Sequence, residues 1–139
     1  MRMTETLGRA AVVLGSLMFA AAPLAASAAN FAGTWAFTGT TVMRSATFVT
    51  SPVCLFRQMG DRLAGSCKGP NAIGSADGMV NGNAFVFQWH TIATSGPSKG
   101  RTGTATFKGT WNADGVVRGS VTSTSAPGTV GVLTGQKTG

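Results

Sequence analysis

The sequence predicts an all-β protein: a single-domain, eight-stranded antiparallel up-and-down β-barrel with one cross-strand disulfide, or alternatively an open β-sandwich. Three observations predict it. First, beyond residue 28 Gly, Thr and Ser dominate, β-branched and aromatic residues alternate with polar ones, and turn signals recur about every eight to twelve residues. Second, Trp35, Phe37, Phe56, Phe85, Phe87, Trp89, Phe107 and Trp111 share one face of the predicted strands. A sheet can bury such a face only by closing or folding onto itself, and closure also removes its edges. Third, Cys54 and Cys67 stand at equal distances from Gly60-Asp61. If these two residues form a hairpin loop, Met59 faces Arg62, Gln58 faces Leu63, Phe56 faces Gly65 and Cys54 faces Cys67. The last pair then occupies a non-hydrogen-bonded site, where facing side chains come closest and a disulfide can form.

In chain order, Arg2 and Arg9 flank a polar start, residues 10 to 22 are almost all apolar, and Ala26-Ser27-Ala28 fits a small-x-small cleavage site. Residues 1–28 read as a secretory signal peptide, and residues 29–139 as the barrel domain of a periplasmic or secreted product. Such a compartment permits the disulfide. Strands are expected near 32–39, 53–59, 62–68, 74–81, 84–91, 102–111, 116–123 and 130–137, with Ala46-Thr-Phe48-Val49 as a possible addition. Gly60-Asp61, Gly82-Asn83 and Ala113-Asp114-Gly115 supply tight turns, whereas residues 40–52, 69–73, 92–101 and 124–129 make longer connections. In a meander alternate connections lie at opposite ends, so one end is closed and the other open. Phe37, Trp89, Val121 and the cysteine bridge are the inward residues nearest the open end. The opposite face reads as polar through Arg57, Ser66, Lys68, Gln88, His90, Lys108, Thr110, Arg118 and Ser120, which argues against a lipid-facing exterior.

Charge and chemistry narrow the function. Residues 29–139 hold nine Lys or Arg and three Asp, a net +6, spread without runs. That fits solubility or attraction to an anionic partner. The same segment has no Glu, no Tyr and one His. Asp61 and Asp114 belong to turns, Asp77 faces outward, and His90 has no acid assigned to orient it, so paired-carboxylate and triad chemistry lack their residues. One histidine beside two bridged cysteines holds no metal. No strand leads through glycines into a helix that could cradle a cofactor phosphate. Aromatic and basic residues fall on opposite faces, which disfavours a nucleic-acid platform.

The chain resembles the avidin and streptavidin family in Gly33-Thr-Trp35, in a strand leading through a tight turn to Leu63-Ala-Gly65, in Phe85-Val-Phe-Gln-Trp89 and in Thr104-Ala-Thr-Phe-Lys-Gly109-Thr-Trp111. Lipocalins share the early G-x-W and the plan of one open and one closed end. The resemblance implies a related architecture, with Trp89 matching a pocket tryptophan of the family and Phe107 a second aromatic. It does not imply biotin binding. Phe37-Thr-Gly-Thr-Thr41 replaces the family's first-loop polar ligands, Cys67 stands where a pocket tyrosine would, and residues 117–124 offer no tryptophan.

The expected function is an exported, non-enzymatic barrel that binds a small, largely apolar ligand at its open end, through Trp89, Phe37, Val121 and Phe107. The alternative is an interaction or inhibitor protein with a filled barrel. Its open-end loops, with Arg44, Lys99 and Arg101, would contact a protein or an anionic envelope polymer. Neither reading calls for a cofactor, a metal, nucleic acid or a membrane span.

Overall fold

The computed structural model describes residues 30–43 and 46–139; the expected signal peptide and Arg44 lie outside them. Among the described residues nine strands follow one another: β1 Gly33–Met43, β2 Ala46–Thr50, β3 Val53–Met59, β4 Arg62–Lys68, β5 Ala72–Asn81, β6 Ala84–Ala93, β7 Thr102–Trp111, β8 Val116–Ser123 and β9 Gly131–Lys137. All pairings are antiparallel. β1 and β3 to β9 pair in order, and β1 pairs with β9 to close an eight-stranded barrel. The ninth strand arises because β1 runs four residues beyond the expected end at residue 39. Its first part, residues 33–36, pairs with β3, and its last part, residues 39–43, pairs with β2. β1 and β2 therefore project from the open end as a hairpin.

The β3–β4 hairpin has the register that its numbering predicts, with Cys54 opposite Cys67 and Met59 opposite Arg62. The cysteines are bonded, with Cα atoms 4.0 Å apart. At the tip Gly60 takes φ of +64°, a left-handed conformation that glycine adopts without steric cost. Further round the barrel a glycine pair, Gly109 and Gly119, stands face to face across β7 and β8. A Cβ on Gly119 would strike the Lys108 carbonyl oxygen, so the bare Cα atoms let the two backbones approach closely.

The inward side chains fill the closed end. Phe31, just before β1, stacks on Trp35 with ring centroids 4.3 Å apart and also meets Phe56, Phe85 and Trp111. Its carbonyl accepts a hydrogen bond from Trp35 Nε1 at 3.0 Å. From there aromatic contacts pass through Phe37, Phe87 and Phe107 to Trp89. Offset and edge-on ring pairs of this kind add to the burial of their area.

Two expectations change on the outer wall. Besides the polar residues, Val53, Leu55, Ile73, Met79, Val86, Ile92 and Val132 are also exposed there. They pair partly with one another, Ile73 with Ile92 and Met79 with Val86, while Asp77 and Gln88 keep the rows between them polar. His90 does have an acid: its Nε2 lies 2.9 Å from Asp77 Oδ1. Asp77 stands opposite Gln88, so His90 reaches it diagonally across β5 and β6.

Candidate functional site

The aromatic filling stops short of the open end and leaves a cavity of about 250 Å³. Its inner wall is apolar, formed by Trp89, Phe107, Val121, Ala72 and Ala105, and its rim carries Thr41, Thr50, Asn71, Thr91, Thr122, Ser123 and Thr129. The barrel is thus filled at one end and hollow at the other. Alternation in β6 turns Phe85, Phe87 and Trp89 inward, and Trp89, third from the closed end, reaches the cavity. In β8 the same rule turns Val117 and Val121 inward.

Trp89 is 3% exposed, and its Nε1 is a buried donor with no hydrogen-bond partner among the described residues. A buried donor left unpaired costs roughly 1–3 kcal/mol, and Trp89 is itself one of the residues lining the cavity. Gly69 makes room for it: a Cβ there would stand 3.2 Å from the indole Cη2. The loop holding Gly69 is fixed in turn, since Gly69 N–H donates to the Ala72 carbonyl and Thr94 N–H to the Asn71 carbonyl. The Ser95 hydroxyl also donates to Asn71 Oδ1 at 2.8 Å.

Among the described residues the wall carries no charged side chain and no histidine. Whatever fills the cavity meets hydroxyl groups, an amide, apolar surface and one indole N–H. Such a site favours uncharged matter, because burying an ion there would leave it without a counter-charge.

Of the residues expected at the mouth, Trp89, Val121 and Phe107 line the cavity and Phe37 does not. Phe37 is buried one level deeper, against Trp35, Phe85, Phe87 and Phe107. The continuation of β1 puts Thr41 at the mouth in its place. Cys54 and Cys67 are buried but form no part of the wall. Lys99 and Arg101 are exposed in the connection from β6 to β7, away from the cavity wall. That connection is tied by backbone bonds from Lys99 N–H to the Gly96 carbonyl, Gly100 N–H to Ala93 and Arg101 N–H to Ser98. Gly69, Asn71 and Thr129 were not legible as site residues, since nothing in a loop sequence marks which side chains turn inward.

No group of three or more His, Cys, Asp or Glu that could hold a metal occurs among the described residues. No described helix is long and apolar enough to cross a membrane. The closed eight-stranded barrel is compatible with the avidin and lipocalin plan. No family model matches the chain, and no curated protein sequence matches it.

Proposed function

We propose that this chain is an exported, non-enzymatic barrel that holds a small, largely apolar ligand in the cavity at its open end. The observation that carries this reading is Trp89, whose buried Nε1 has no hydrogen-bond partner among the described residues, on the wall of a cavity with an apolar interior and a rim of hydroxyl and amide groups. An eight-stranded barrel is just wide enough to be filled by side chains or to hold one small ligand, as lipocalins and streptavidin do. The likeness in plan therefore supports a carrier's role. The Cys54–Cys67 bridge suits an oxidising compartment, which supports export, as does the leader-like composition of residues 1–28. The polar outer rows bearing Asp77, Gln88 and His90 support a barrel that works in water.

The test is native mass spectrometry of the exported protein taken from its own compartment. A discrete added mass that vanishes on denaturation is expected in the wild type. Val121→Phe, which fills the cavity, should lose that mass, as should Trp89→Ala if it stays folded despite a truncation cost of about 3–5 kcal/mol. A bare wild-type protein would overturn the carrier reading and turn attention to the open-end loops as contacts for another macromolecule.

A further inference from the structure

We propose that the ligand is uncharged and elongated, with one hydrogen-bond acceptor held by Trp89 Nε1 and an apolar tail leaving the mouth beneath the β1–β2 hairpin. This deepens the cavity reading and rests on it. The inner end of the ligand is set by the Trp89 donor, which has no partner among the described residues, and by a wall on which those residues place no charged group. The path of the tail is set by a second depression, a groove between the hairpin and the connection from β8 to β9. Ala126 and Thr129 belong to the walls of both, so the groove continues the cavity outward.

The hairpin wall of this groove is apolar. Phe48 stands directly opposite Thr41, itself a wall of the cavity, so the two side chains share a face. Phe48 is nevertheless 52% exposed. Met43 and Ala46 line the same side, and Pro127 lines the other. A chain of methylenes passing from the cavity over Phe48 would cover this apolar surface, and no charged side chain is among the described residues that line it.

The experiment is calorimetric titration of the exported protein with linear 2-alkanones of about five to about eleven carbons. Affinity should rise about fourfold per methylene along the whole series. Phe48→Ser, at an exposed position, should flatten the rise for the longer ketones and leave the shorter ones unchanged. Trp89→Phe keeps an aromatic ring but removes the donor, and should weaken every ketone about tenfold. Alkanoates of equal length should bind at least about tenfold more weakly than the ketones. A rise that stops with the short ketones and ignores Phe48→Ser would overturn the groove. Equal binding of alkanoates, or indifference to Trp89→Phe, would overturn the uncharged acceptor. If native spectra show a bound mass but no ketone binds, this ligand class is wrong and the cavity reading stands; a bare native protein that also ignores ketones defeats both.

Discussion

Trp89 and Asp114 show how differently a polar atom behaves when its surroundings are dry or wet. The Trp89 donor is buried and has no hydrogen-bond partner among the described residues. Asp114 is exposed and fully engaged: Arg118 donates to both its carboxylate oxygens, at 3.0 and 3.4 Å, and the Val116 N–H donates to Oδ1 at 3.0 Å. The Arg118 hydrogen bonds first, and then the Val116 N–H, hold its carboxyl below the ordinary aspartate range. A depressed folded pKa means that the carboxylate contributes stability above its unfolded value, near about 3.9, and that this contribution fades as pH falls through the folded value. An NMR titration of the Asp114 carboxyl should show its midpoint below the ordinary range. Arg118→Ala should return the midpoint toward that range; an unchanged midpoint would mean that the ion pair does not act on it. The acid below His90 escaped sequence reading for a geometric reason. Counting from the Gly82-Asn83 turn places Gln88 opposite Asp77, and the contact that forms lies on the diagonal.

Among the elements, the β3–β4 hairpin was legible to the residue, because one turn and two equidistant cysteines determine every pair between them. Removing the bridge with Cys54→Ser should cost roughly 3 kcal/mol on the chain-entropy model, read as a lower urea midpoint with little change in slope. A variant as stable as wild type would mean that the hairpin holds its register without the bond. The β1–β2 hairpin was much less legible. Ala46-Thr-Phe48-Val49 has strand-forming residues, but it is short and follows no glycine or proline turn that would announce a reversal. That gap also explains Phe37: with the strand expected to stop at residue 39, Phe37 was the last large inward side chain, whereas β1 continues to Met43 and carries the mouth beyond it. The outward Val53 and Leu55 follow from the same alternation that turns Arg57 outward, and Val86 and Ile92 from that of Gln88 and His90.

At the scale of the whole molecule, the barrel divides into a packed half and a half that holds the cavity. Phe31 belongs to the first, buried to 1% exposure against four aromatic rings although it precedes the first strand. Phe31→Ala should cost about 3–5 kcal/mol in chemical denaturation while leaving ligand affinity within about twofold. An equal loss of affinity would show that the two halves are coupled through the aromatic column. The one-sided placement of tight turns, read from glycine and asparagine chemistry, identified which end would be open. It could not say how far the filling would rise, since that depends on how particular rings lean across the interior, which no periodicity encodes.

The seam between β1 and β9 has a consequence for how the molecule comes into being. Trp35 pairs with Lys137 and Thr40 with Val132, so the strand formed first in the chain waits for the strand formed last. The disulfide hairpin, by contrast, spans a separation of only 13 residues and can form as soon as its own segment is free. Loop-closure entropy opposes long-range pairings until many other contacts repay it, so circularisation is expected to be the slow, final event on a timescale of milliseconds to seconds. Until then the intermediate is an open ribbon with two adhesive margins, and crowding such ribbons together would favour strand exchange between molecules over closure within one.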